Sequence, residues 1–137
     1  MKKIIIPGFV IAIVMLIFSL GMGPVTNFLF PGVMTEYQNP QLFRAWTDPL
    51  MSLYFLHPFL VGFILAWIWN KTKPLFKHKI WWQRGICFGL IYWLTTIPGM
   101  FISYASFPIS LAMTISWSLS LFVQAIAAGK LLAKMNP

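Results

Sequence analysis

Residues 67–84 read Trp-Ile-Trp-Asn-Lys-Thr-Lys-Pro-Leu-Phe-Lys-His-Lys-Ile-Trp-Trp-Gln-Arg. Lys71, Lys73, Lys77, Lys79 and Arg84 crowd a short gap between two long apolar runs, and tryptophans bracket it on both sides. Lys and Arg beside membrane spans stay on the cytoplasmic side, and indole rings settle at the headgroup level. Outward from this gap the same bias repeats. Lys2 and Lys3 precede the first apolar run, and Lys130 and Lys134 close the last. The long gap between the first and second runs holds Arg44 alone among the cations, with both acids of the chain, Glu36 and Asp48. The pattern predicts an all-α integral membrane four-helix bundle of the cytoplasmic (inner) membrane. Both termini are expected on the cytoplasmic side and the acidic gap outside.

Composition agrees. Of 137 residues, 59% are apolar and 9% charged, against roughly 45–50% and about 25% in soluble domains. The length suits one domain and leaves no room for a soluble one beside four spans. A net charge of +8 raises the question of nucleic acid. These cations sit at span ends, where each gains about 1 kcal/mol from anionic headgroups, so membrane lipids are the expected partner. The single cysteine, Cys87, excludes an internal disulfide and any C-x-x-C pair, and with them the four-helix thiol oxidoreductases. Met1-Lys2-Lys3 before an apolar run resembles a secretory signal, and Ser19-Leu20-Gly21 offers a weak cleavage position. The run from Ile4 to Met22 nevertheless covers about 28 Å as a helix, enough to span. We read it as an uncleaved first helix.

The spans are expected at about 4–22, 49–70, 80–97 and 108–132. Gly21, Gly23 and Pro24 should end the first and Pro98-Gly99 should kink or end the third. Pro58 removes a backbone donor inside the second and predicts a kink there. Ser106 or Phe107 is expected to cap the fourth, and Trp67 and Trp69 to anchor the second at the interface. Between the first two spans, Val25–Thr47 is too interrupted to cross, yet it carries Phe28, Phe30, Tyr37, Phe43 and Trp46. Such a segment suits the outer interface. Asn39-Pro40 reads as an N-cap followed by proline at the first helical position, so a short surface helix is expected over 40–47. Gly21-Met22 with Phe30-Pro31 echoes Gly99-Met100 with Phe107-Pro108. In so biased a composition, chance explains this better than two parallel hairpin repeats do.

Candidate chemistry is sparse. Gly85-x-x-x-Gly89 in the third span and Gly62-x-x-x-Ala66 in the second let helices approach closely; packing within one bundle explains them better than association between chains. Ser116, Ser120 and Gln124 follow i, i+4, i+8 on the fourth span. They form either the wall of a polar path or a set of hydroxyls bonded to their own helix, worth about 0.6 kcal/mol where they bridge helices. His57 is the only ionisable group well inside a span, which makes it either a functional candidate or a neutral histidine donating one hydrogen bond near the carbonyl that Pro58 frees. With Tyr54, Asp48, Glu36, Arg44, Ser103, Tyr104 and Ser106 it falls in the outer half, where a ligand-binding cluster is expected. A hydrolase could draft Ser103 or Ser106 with His57 and Asp48, but no G-x-S-x-G elbow supports it. His57, His78 and Cys87 lie at different depths and cannot form one metal site. No cofactor is implied.

Trp93-Leu-Thr-Thr-Ile-Pro-Gly-Met-Phe-Ile-Ser-Tyr104, followed by Phe107-Pro108 and Trp117, resembles the third-to-fourth-helix part of small, functionally uncharacterised four-helix membrane proteins of prokaryotes. That resemblance implies the fold and no activity. The chain departs from four-helix multidrug exporters, whose first helix carries a glutamate, and from glutathione-using four-helix enzymes, whose Arg/Asn/Glu pattern is missing. The leading expectation is a structural or binding component, with an apolar or lipid ligand at its outer face. The alternative is an oligomeric permeation or transport unit for a small solute or ion, and a membrane-embedded enzyme ranks third. A homo-oligomer or a membrane-protein partner fits either of the first two.

Overall fold

The computed structural model describes residues 2–77 and 79–137. Five helices account for most of it: α1 Lys2–Leu29, α2 Pro31–Tyr37, α3 Ser52–Thr72, α4 Trp81–Ser106 and α5 Leu111–Met135. Short 3₁₀ turns flank α3 at Pro49–Met51 and Lys73–Leu75. No strand occurs among the described residues. Four of these helices are long and apolar enough to cross a membrane. The 28 residues of α1 correspond to about 42 Å at 1.5 Å per residue, which exceeds a hydrocarbon core of about 30 Å.

Several helix ends differ from expectation. α1 runs past Met22 to Leu29 with Pro24 inside it, and α4 runs past Ile97 to Ser106 with Pro98 inside it. A proline removes one backbone bond and not the helix, and in an apolar setting the chain has no better way to pair its remaining polar groups. α5 starts later than expected, at Leu111, because Ser110 supplies the cap by accepting from Met113 N at 3.1 Å. The short helix between the first two spans forms at Pro31–Tyr37 and not over 40–47. At Asn39-Pro40 only a turn forms, in which the Asn39 side chain accepts from Gln41 N at 3.0 Å.

Two hairpins make up the bundle. α1 packs along α3 and α4 along α5, while α1 and α5 join them. Small residues set both seams. A methyl added at Gly62 would lie 2.5 Å from the Gly8 carbonyl oxygen, and one at Gly89 2.5 Å from that of Ala125. One at Gly85 would lie 2.6 Å from the Gly129 carbonyl oxygen. The expected Gly85/Gly89 and Gly62/Ala66 motifs are thus used within the chain. Their partners, Gly8/Ala12 and Ala125/Gly129, have the same spacing.

The core gathers Ile11 and Met15 of α1, Leu65, Ala66 and Trp69 of α3, Phe88 of α4, and Ala128, Leu132 and Ala133 of α5. Trp69 is fully buried, so it is a core residue and not an interfacial anchor, whereas Trp67 is exposed. The Trp69 ring stacks on Phe76 at 5.5 Å and meets Phe88 edge-on at 5.3 Å. These rings bridge α3 to α4. Lys3, Lys73, Arg84 and Lys130 share this end, hereafter the basic end, and Glu36, Arg44 and Asp48 lie at the other, the acidic end.

Asn136 ties the basic end together. It is almost wholly buried. Its carbonyl accepts from Trp69 Nε1 at 2.8 Å, and its Oδ1 accepts from Lys73 Nζ at 2.8 Å. Its Nδ2 donates to Asn70 Oδ1 at 3.2 Å and, at longer range, to the Lys3 carbonyl at 3.5 Å. One amide therefore satisfies the buried polar groups of three elements, as burial requires.

Candidate functional site

Polar and aromatic side chains converge at the acidic end, where α2 and the turns after it fold back over α5. α2 begins with proline at its first position, where no amide hydrogen is needed. It buries Val33 against Ile109 and Met113, with Phe30, Leu42, Phe43 and Trp117 packed around them. This apolar face explains why the helix forms here; residues 40–47 offer Gln41, Arg44 and Thr47 in its place.

Glu36 then reaches the start of α5, and its Oε2 accepts from Ser110 N at 2.9 Å. A carboxylate at a helix N-terminus meets both an orphan donor and the positive end of the helix dipole. Two turns along α5, Trp117 Nε1 donates to the Tyr37 hydroxyl. Burial pushes the Tyr37 phenol above its usual pKa, opposed in part by that hydrogen bond. Phe43 sits between the two rings, 5.2 Å from Tyr37 and 6.2 Å, edge-on, from Trp117.

Under this cap lies a cleft of about 230 Å³, lined by Leu42, Phe43, Ser103, Phe107, Ile109 and Trp117. Its wall is apolar except for the Ser103 hydroxyl, which donates to the Gly99 carbonyl at 2.9 Å, and the indole N–H already engaged by Tyr37. A second groove, of about 360 Å³, lies on the side of the α4–α5 hairpin between Trp93, Ile115, Ser118, Leu119 and Phe122.

The outer-half residues do not form one cluster. Glu36 and Ser103 belong to the cap and its cleft. Arg44 and Asp48 pair with each other at 2.9 Å, while the second carboxylate oxygen caps Leu50 N at 2.9 Å. The Leu50 amide and then the guanidinium hold the Asp48 carboxyl below its usual pKa. Tyr54 shares a hydrogen bond with Ser19 and meets Trp46 edge-on at 5.5 Å. His57 is exposed on the outside of α3, although its neighbour Pro58 is buried, and it makes no hydrogen bond among the described residues. Tyr104 and Ser106 are exposed as well. Ser103, His57 and Asp48 therefore do not stand in a row, as a hydrolase would need.

Of the α5 hydroxyls, Ser118 accepts from Trp93 Nε1 of α4 at 3.2 Å, while others serve their own helix. Thr114 donates to the Ser110 carbonyl at 3.2 Å and Ser116 to that of Met113 at 2.7 Å. Gln124 Nε2 donates to Ser120 Oγ at 3.1 Å. Among the described residues no group of three or more His, Cys, Asp or Glu side chains comes together; His78 lies outside them. Two participants had no sequence signal of function, Ile109 and Phe107. Trp117 was visible only as one more aromatic residue.

No family model, curated protein or solved structure matches the chain.

Proposed function

We propose that the protein is a multi-pass binding component of the cytoplasmic membrane, with both termini inside and the α2 cap outside. Its ligand is an apolar or lipid chain held in the cleft beneath that cap. The observation that carries this reading is the cleft itself, with aromatic and aliphatic walls and a single hydroxyl free of a charged partner. Drug-sized ligands occupy roughly 300–1,000 Å³. A volume of about 230 Å³ suits a segment of acyl chain better than a whole polar solute. Thr114, Ser116 and Ser120, bonded within their own helix, and Ser118, bonded to Trp93, give no support to the permeation reading.

The test is photo-crosslinking of protein in native-lipid discs with a diazirine-bearing phospholipid. Label should concentrate on peptides containing Phe107 and Trp117. Ile109→Trp, which fills the cleft, should cut that label about fivefold and leave labelling elsewhere unchanged. Label spread evenly over the four spans, insensitive to the substitution, would mean annular lipid alone and sink the proposal.

A further inference from the structure

The rings that bridge α3 to α4 determine what lies one turn beyond them. Trp69 meets Phe88 edge-on at 5.3 Å, and Phe76 packs against both. Four residues past Trp69 the chain reaches Lys73, and four residues before Phe88 it has Arg84. Residues four apart share a helix face, so Arg84 lies on the face that buries Phe88. Both cations therefore stand beyond the same rings, toward the basic end, and both are half-buried. Arg84 Nε is closed off from solvent and has no hydrogen-bond partner among the described residues. Lys73 Nζ donates to Asn136 Oδ1 and to the Pro137 carbonyl, each at 2.8 Å, which leaves one of its three protons. The like charges of Lys3 and Arg84 both bear on Lys73.

Three cations from three elements thus converge, and the chain has no acid to set among them. Its two acids are engaged at the other end, Glu36 with the Ser110 amide and Asp48 with Arg44. Repulsion between like charges grows as water is withdrawn. A guanidinium that is partly buried without a partner also loses hydration that nothing replaces. An anion from outside the chain relieves both costs.

Chemistry and depth select the anion. A guanidinium offers a planar fork to carboxylate or phosphate, and an ammonium binds phosphate as a point charge. Trp81 and Trp82 open α4 and are exposed three and two residues before Arg84. Indole rings settle at the headgroup level, which is the level of lipid phosphates. The first turn of α4 carries no acid, and no side chain caps it. Helical side chains lean toward the N-terminus, so Arg84 extends toward amides that themselves favour an anion. Basic pockets between membrane helices are a recurrent seat for anionic headgroups.

We propose that Lys3, Lys73 and Arg84 form a binding site for the phosphate of an anionic phospholipid at the basic end, opposite the cleft beneath the cap and independent of it. The phosphate seats between the spare proton of Lys73 and the guanidinium of Arg84, and Lys3 supplies charge from the rim. Lys71 and Lys77 are exposed cations of the same gap and provide the comparison. A diffuse surface attraction treats all five alike, whereas a built site does not.

The test delipidates the protein in a neutral detergent and titrates it with phosphatidylglycerol or phosphatidylcholine, counting bound lipid by native mass spectrometry. One phosphatidylglycerol should bind at least tenfold more tightly than phosphatidylcholine. Arg84→Gln and Lys73→Gln should each abolish that preference. Lys73→Gln also disturbs the contact with Asn136, so Lys3→Gln separates charge from packing, because the Lys3 carbonyl that meets Asn136 is kept. It should weaken the preference about threefold with melting unchanged. Lys71→Gln and Lys77→Gln should bind as the parent does. Equal losses at all five positions would mean diffuse attraction and overturn the site. So would a parent without the preference. Inorganic phosphate that displaces the lipid at equal concentration would overturn it too, by making free phosphate the ligand.

Discussion

Glu36 shows how much one side chain can organise at the acidic end. Its carboxylate closes an orphan amide of α5 while lying at the positive end of that helix. Glu36→Gln keeps an acceptor and loses the charge, so it should cost about 0.3–1 kcal/mol. Glu36→Ala leaves the Ser110 amide unpaired and should cost about 1–3 kcal/mol. Thermal melts of the extracted protein should rank the two in that order. Asn136 invites the same comparison at the basic end: Asn136→Ala removes the partner of Asn70 Oδ1 and leaves Lys73 with the Pro137 carbonyl alone, and should also cost about 1–3 kcal/mol.

Asp48 contributes a pH dependence whose direction follows from its lowered pKa. A carboxylate held ionised in the fold stabilises it fully above the ordinary range near about pH 4. That contribution disappears as the pH falls through the lowered folded value. Melting should therefore be insensitive to Asp48→Asn only in strong acid, and the gap between variant and parent should be open and constant from about pH 5 to 7. A gap that widens on acidification would contradict the cap. At this scale His57 was the least legible residue. α3 is apolar all round, so nothing in the sequence distinguishes its inward face from its outward one. His57 and Pro58 are adjacent in the chain but about 100° apart around the helix, which puts only the proline inside.

At the scale of elements, existence was legible and ends were not. Four long apolar runs could become little else than helices, since unpaired backbone in lipid costs several kcal/mol per group. The ends at Pro24 and Pro98 escape sequence reasoning because proline rules drawn from water-exposed helices fail in segments with no water to pair the backbone. The cap helix escapes it for another reason. Phe30-Pro31 and Asn39-Pro40 give equally good starts, and the choice falls to tertiary contact, which places Val33 on Ile109 and Met113.

The aromatic content of the cap predicts its sensitivity. Phe43 is half-buried between Tyr37 and Trp117, so Phe43→Asp should cost about 1–3 kcal/mol through lost burial and reduce accumulation in the membrane. Trp46 is 67% exposed, so Trp46→Asp should act more weakly, through Tyr54 alone. Equal effects, or none from either, would mean that the segment is a dispensable loop. The cleft beneath the cap could not be read in advance, because Ile109, Phe107 and Trp117 meet Leu42 and Phe43 only after the cap folds back across the bundle end.

For the whole molecule, charge and packing can be weighed together. The chain places every Lys, and Arg84, at one end of the bundle and leaves Arg44 with both acids at the other. In the fold, Lys3 and Lys73 are joined through Asn136, and Lys130 lies against Gly85 beside Arg84. Packing therefore gathers from four elements the cations that the inside-positive bias assigns to one side. It also sets Glu36 and Arg44 at the far end of the same helices, so a single orientation satisfies the entire charge pattern. The prediction uses two residues in exposed turns, Gln38 beyond α2 and Lys77 between the hairpins. Each is replaced by cysteine in a Cys87→Ala background and treated with an impermeant thiol reagent on sealed cells. Gln38→Cys should label without permeabilisation, and Lys77→Cys only after it. Labelling of both from one side would remove the four-span topology. Labelling with the sides exchanged would keep the spans and move the α2 cap and its cleft to the cytoplasm, where a lipid chain would have to enter from the inner leaflet.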